Sequence, residues 1–242
     1  MERPAATVQA AAFDLDGLIF DTEAVFFRAA RDYLADRGKE FTSEMMSVMI
    51  GRRAEEAGPA LKRLAGLSEP PEVFMAELRA LFFDRLDAEV QPLPGVAALL
   101  DHLDRREIPA GVATSSRRAY AERLLKNHNL IHRFVFILGA EDVSKGKPDP
   151  EIYLTAASRF AIEPRALVVF EDSPAGLSAA RASGAYAVGV PHEHSPLDRL
   201  HDAHLIVPRL DHSKALALFE AVAPARPSLE NHSRRSGAGS PR

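Results

Sequence analysis

Phe13-Asp14-Leu15-Asp16-Gly17-Leu18-Ile19-Phe20-Asp21-Thr22-Glu23 is the stretch on which the reading of this chain turns. An uncharged apolar run, residues 8–13, leads into it, as expected of a parallel strand buried on both faces. The run stops at two carboxylates on alternate residues. On an extended backbone Asp14 and Asp16 point to opposite sides, so they can lie close together in different surroundings. Gly17 permits the sharp turn that a strand end needs. Acidic side chains at the end of a buried strand are costly unless a cation or a reaction uses them. Asp-x-Asp-Gly by itself also fits a plain acidic turn. A calcium loop needs a late Glu and a helix on both sides, whereas a strand comes first here.

Beyond this stretch the hydrophobic period changes to that of helices. Residues 24–38 read as a helix with Phe26, Phe27, Ala30, Tyr33 and Leu34 on one face and Gly38 at its stop. Ser43 suits the cap of a second helix, 43–50, broken at Gly51-Arg52-Arg53. A third, 54–64, contains Pro59, and Pro70-Pro71 opens a fourth with Phe74, Leu78, Leu81, Phe82 and Leu86 at helical spacing. No convincing strand falls within 24–90. From Pro92-Leu93-Pro94-Gly95 onward, helices alternate with strands expected at 108–113, 134–138, 167–170, 186–190 and 204–207. That alternation implies an α/β fold with a doubly wound parallel sheet and a small helical cap domain inserted after the first strand. The expected division is 1–23 with 91–223 for the core, 24–90 for the cap, and 224–242 as a disordered Pro-, Ser-, Gly- and Arg-rich tail after a closing helix at 213–222. In such sheets the site lies beyond the carboxyl ends of the strands, where Asp14, Thr114 and Asp172 all fall.

The chain has 242 residues, 46% hydrophobic and 26% charged, enough for one large α/β domain with a small insert. A net charge of −4 argues against a general nucleic-acid binder. There is no Cys, which excludes disulfides, thiolate metal sites and a Cys nucleophile. No long apolar run precedes Asp14, so neither a signal peptide nor a membrane span is expected. The expectation is a soluble cytoplasmic protein, a monomer or weak homodimer, with a small-molecule partner and no nucleic-acid or membrane partner.

Three later strings bear on the chemistry. Val112-Ala113-Thr114-Ser115-Ser116 ends a strand in hydroxyls, Gly146-Lys147-Pro148-Asp149-Pro150 supplies a cation, and Val168-Val169-Phe170-Glu171-Asp172-Ser173 ends a strand in carboxylates. Four such motifs in this order, with a helical insert after the first, resemble the haloacid dehalogenase (HAD) superfamily of phosphohydrolases over residues 11–191. The resemblance implies Asp14 as the nucleophile that takes the phosphoryl group and Asp16 as the general acid and base. It implies Mg²⁺ held by the Asp14 side chain, the Asp16 main-chain carbonyl and Asp172, with Glu171 in contact or behind it. Thr114, Ser115 and Lys147 would bind phosphate, and Ser116 and Arg117 the rest of the substrate. Lys145 is an alternative to Lys147 but does not precede Pro148. Thr114 also fits a helix cap, and Asp21 fits either a cap or a hinge role. Arg52 and Arg53 read as surface residues, and none of the nine His shows metal-site spacing.

The first and fourth motifs resemble a subgroup containing β-phosphoglucomutase and small sugar-phosphate or nucleotide-like phosphatases, and sugar phosphates are the substrate class this implies. Mutase relatives place a cap-side His where Phe26 stands and a cap Arg where Ala54 stands, next to Arg52 and Arg53. Phe26 cannot transfer a proton, so hydrolysis is expected, with a sugar phosphomutase as the alternative. A dehalogenase has no use for Asp16 or a metal. A non-catalytic binding protein on this fold should lack one of Asp14, Asp16, Lys147 or Asp172, and none is missing.

Overall fold

The computed structural model describes residues 4, 6–49, 54–192 and 200–220. The expected tail, the Arg52-Arg53 pair and the end of the expected closing helix lie outside these residues. Strands β1 (Ala10–Phe13), β2 (Ala110–Ala113), β3 (Ile137–Leu138), β4 (Leu167–Glu171), β5 (Tyr186–Gly189) and β6 (Leu205–Ile206) form one sheet in the order β3-β2-β1-β4-β5-β6. All its pairings are parallel, and Phe13 lies beside Val112 on one side and Phe170 on the other. Strand order therefore reverses at β1, with β2 on one side and β4 on the other. That junction is where an open α/β sheet leaves a crevice at its carboxyl edge.

Side-chain alternation sends each strand into two cores. Ala11 and Phe13 of β1, and Val168 and Phe170 of β4, join one core. It is covered by α5 (Val96–Arg105), α6 (Arg118–Asn127) and the short α9 (Ser213–Leu216). Ala10 and Ala12, with Leu167 and Val169, join the other, under α7 (Glu151–Arg159) and α8 (Pro174–Ser183). Phe13 and Phe170 stack with ring centroids 5.1 Å apart directly beneath the two strand ends that carry the acids.

Between β1 and α5 the chain forms α1 (Thr22–Ala35), α2 (Ser43–Met49), α3 (Ala54–Ala65) and α4 (Pro71–Glu89). These helices bury their own cluster, with Ala30, Tyr33 and Leu34 against Leu61, Phe74 and Leu78. Two chain segments join this cluster to the sheet, side by side and antiparallel. Leu93 N donates to Ile19 O at 2.8 Å and Phe20 bridges Pro92.

Several boundaries differ from the sequence reading. α1 begins two residues early because Asp21 Oδ1 accepts from Ala24 N at 3.2 Å, so Asp21 is its cap. Pro59 sits inside α3 without breaking it. The strand expected at 134–138 is regular only at Ile137–Leu138, at the edge of the sheet, although Val135 N already donates to Ala110 O. The closing helix tightens into a 3₁₀ turn, Ala217–Phe219, after only four α-helical residues. Among the described residues no helix is long and apolar enough to cross a membrane.

Candidate active site

The loop after β1 is folded by its own apolar residues. Leu15, Leu18 and Ile19 are buried, and the amides of Ile19 and Phe20 both donate to Leu15 O. Gly17 takes φ +78°, and a Cβ there would lie 2.4 Å from Asp172 Oδ2. Glycine is thus required twice, for the backbone conformation and for the approach of Asp172. This curl sends the two acids apart. Asp14 turns into the buried junction of β1 and β4, whereas Asp16 faces a cavity beside α6.

In the junction, Lys147 Nζ donates to Asp14 Oδ1 at 2.5 Å, Glu171 Oε1 at 2.6 Å and Ala113 O at 3.0 Å. Its three protons are therefore all used, and its side chain is only 4% exposed. Lys145 lies outside, 74% exposed, 3.8 Å from Asp149. Burial pushes the Lys147 ammonium down, but Asp14 and Glu171 outweigh it and hold the group well above its ordinary value. Burial raises the Asp14 carboxyl well above its usual range; Lys147 opposes this, and Glu171, Asp172 and Asp16 add to it. Asp172 is raised in the same way by burial, then by Glu171 and Glu23.

Glu171 is fully buried and both its oxygens are occupied. Oε1 accepts from Lys147 and from Tyr153 OH at 2.6 Å, and Oε2 accepts from the amides of Asp172 and Ser173 and from Ser173 Oγ. Glu171 is thereby tied to the protein on both sides, which makes it first an anchor for Lys147. Thr114, 1% exposed, accepts from Ser116 N at 3.0 Å, which leaves its hydroxyl proton to donate. It therefore caps the following turn and keeps a donor.

Asp16 accepts from Ser116 Oγ at 2.7 Å and from Tyr120 OH at 2.9 Å. It lines a cavity of about 810 Å³ together with Ser115, Ser116 and Arg117 from the core and Phe26, Arg79 and Phe82 from the helical insert. Ser115 and Arg117 are exposed. Asp14, Lys147, Glu171 and Asp172 thus share the acidic junction, Asp16, Ser115, Ser116 and Arg117 line the cavity, and Thr114 stands at the end of β2 just before Ser115.

Asp14, Glu171 and Asp172 each offer an oxygen within 4.8 Å of the others. Three buried carboxylates facing one lysine leave an excess of negative charge. An all-oxygen donor set of this kind suits a hard divalent cation and no soft one. Asp14 and Asp172 fit that role better than Glu171, whose lone pairs are engaged.

Sequence reasoning missed Tyr153, Tyr120 and His192. Tyr153 falls among the buried apolar residues of α7, and helical period alone does not show that a Tyr tip finds a buried carboxylate. Tyr120 is one turn into α6, with no motif around it. His192 Nε2 lies 3.0 Å from Asp172 Oδ2 and 3.7 Å from Glu23 Oε2. It follows the end of β5, so the strand-end rule that found Thr114 and Asp172 applied to it as well.

Known proteins are similar to this chain in sequence and fold. A phosphorylated carbohydrates phosphatase from Thermotoga maritima is 30% identical over 224 residues, covering 91% of this chain and 95% of that protein. A β-phosphoglucomutase from Bacillus subtilis is 32% identical over 192 residues, 76% of this chain and 83% of its own. A bifunctional riboflavin kinase/FMN phosphatase from Arabidopsis thaliana is 33% identical over 179 residues, 74% of this chain, which spans only 47% of that longer protein. The solved structure of a HAD family hydrolase from Deinococcus radiodurans R1, with bound phosphate and sodium, matches with a TM-score of 0.73 at 27% identity. That match covers 84% of this chain and 91% of the other. The haloacid dehalogenase-like hydrolase profile matches residues 11–190, from the start of β1 to the end of β5, and so takes in every strand-end acid described above. The chain belongs to the haloacid dehalogenase-like hydrolases.

Proposed function

We propose that this hydrolase is a Mg²⁺-dependent phosphatase acting on a small phosphorylated metabolite of the sugar-phosphate class. The observation that carries the reading is the separation of the two acids: Asp14 against Lys147 in the junction, Asp16 against the cavity. Asp14 and Asp172, with the Asp16 main-chain carbonyl, would hold the cation, which offsets the charge of an anionic ester entering an acidic site. Lys147 and the Thr114 and Ser115 hydroxyls would bind the phosphoryl oxygens. An Asp14 oxygen bonds to phosphorus as the bond to the ester oxygen breaks. Asp16 gives its proton to that departing alkoxide. The Asp16 carboxylate then takes a proton from water, whose oxygen bonds to phosphorus. The phosphorus–Asp14 bond breaks, releasing phosphate and restoring both acids. Positioning and charge neutralisation supply most of the catalysis in such transfers, and the site is built for both.

Transfer to a sugar hydroxyl, as in a mutase, needs the phosphorylated Asp14 to be kept from water. Phe26 lines the cavity where mutase relatives place a His, and its ring meets Phe27 and Phe82, so it offers no proton. Hydrolysis is therefore the better reading. A phosphate-release screen over sugar phosphates tests it: activity is expected in Mg²⁺, lost on chelation and restored by adding Mg²⁺. Undiminished release in chelator would overturn the metal assignment.

A further inference from the structure

The cavity beside Asp16 has one wall made of aromatic rings. They form a connected run from the helical insert to the core: Phe27 to Phe26 at 6.4 Å between centroids, Phe26 to Phe82 at 5.6 Å, Phe82 to Phe83 at 5.2 Å, and Phe83 to Tyr120 at 6.0 Å. Tyr120 ends the run, and its hydroxyl is bonded to Asp16. Four of the five rings are not buried; Phe83 is 37% exposed, and Phe26, Phe82 and Tyr120 are half-buried. Apolar surface kept open to a polar site is unfavourable unless a ligand covers it.

A bare polyol phosphate would not cover it well. Its hydroxyls would face rings that offer almost no hydrogen bonds, and desolvating them there is costly. A planar heterocycle gains from the same wall through stacking and edge-to-face contacts. The polar groups around the wall suit the remainder of such a molecule. Arg79 and Arg117 line the cavity, their guanidinium groups without a hydrogen-bond or ion-pair partner among the described residues, and a guanidinium packs well on a flat ring. Glu23 also lines the cavity, and a carboxylate there can accept from a sugar hydroxyl. The volume of about 810 Å³ falls in the range of sites that enclose a drug-sized ligand.

We infer that the substrate is a sugar phosphate that carries a flat heterocyclic ring, of mononucleotide type. Its ester oxygen lies at Asp16 and its ring against Phe83 and Tyr120. This rests on the phosphatase reading and narrows its substrate class.

The test compares kcat/KM for flavin mononucleotide and adenosine 5′-monophosphate with that for glucose 6-phosphate and glycerol 3-phosphate. Wild-type protein, Phe83→Ala and Phe83→Leu are measured side by side. At least one ring-bearing ester is expected to exceed both ring-less ones by roughly tenfold or more, the scale of one stacking contact. The ratio should fall about fivefold or more in Phe83→Ala and partly in Phe83→Leu, which keeps apolar bulk but loses the ring face. Faster turnover of the ring-less esters, or a ratio unmoved by both variants, would overturn the inference while leaving the phosphatase reading intact. If no ester releases phosphate, the phosphatase reading fails, and quenching of flavin fluorescence on binding decides this one. Binding weakened in both Phe83 variants sustains the aromatic site, and equal or absent binding overturns it.

Discussion

Lys147 stands between two carboxylates, Asp14 and Glu171, and spends its remaining proton on Ala113 O. A third acid, Asp172, has His192 Nε2 3.0 Å from its Oδ2. The residues of this site are thus held in a charge imbalance that a cation would correct. Raised carboxyls have a definite consequence for stability. Asp14 and Asp172 stabilise the fold below their ordinary 3.8, and that contribution is lost as pH rises through their raised folded values. The cation-free protein therefore loses stability over that rise, while binding of the proposed Mg²⁺ would require both groups ionised and would reverse the loss. Thermal unfolding in chelator and in Mg²⁺ across a pH series should show a gap that widens upward; a gap independent of pH would contradict the assignment. Asp16 allows a second check at this scale. Asp16→Asn should slow hydrolysis of a sugar phosphate by roughly 10²–10⁴-fold, the worth of a general acid. With p-nitrophenyl phosphate, whose leaving group needs no proton, the rate of phosphoenzyme formation should fall far less. Equal losses on the two esters would remove Asp16 from the acid role.

At the scale of elements, the start of α8 shapes the site as much as the strands do. Ser173 caps it by accepting from Gly176 N at 3.1 Å and also donates to Glu171. A Cβ on Gly176 would lie 1.8 Å from Glu171 Oε1, which is buried and cannot retreat. Gly176→Ala should therefore destabilise by about 2–3 kcal/mol, the cost of overpacking, although alanine is the better helix former. Urea unfolding measures this; a neutral or stabilising result would show that Glu171 is freer than its five contacts imply. The strands and their terminal acids were readable from the sequence because an apolar run ending in charge is a strong, local signal. β3 was overextended because the same apolar run, 134–138, sits at a sheet edge with only one neighbour. Contacts across elements left no such trace. The bonds from Tyr153 to Glu171 and from Tyr120 to Asp16 join residues 18 and 104 positions apart. Nothing in the spacing of either Tyr announces its partner.

The whole molecule divides the work between a sheet edge that holds charge and a helical insert that shapes the cavity. The backbone passes between them in two antiparallel segments meeting at Ile19–Leu93 and Phe20–Pro92, immediately after the Asp14–Asp16 loop. Movement of the insert would therefore be transmitted close to Asp16, and the aromatic contact between Phe83 and Tyr120 spans the same gap from the far side. All of this presupposes that phosphorus is transferred to Asp14. The most direct measurement is to quench the enzyme during turnover of a phosphate ester in Mg²⁺, reduce it with borohydride, and map the product by mass spectrometry. An acyl phosphate at Asp14 is expected, appearing as homoserine at that position alone and absent from Asp14→Asn. A phosphoryl label on any other residue, or turnover retained by Asp14→Asn without a trapped intermediate, would contradict the account.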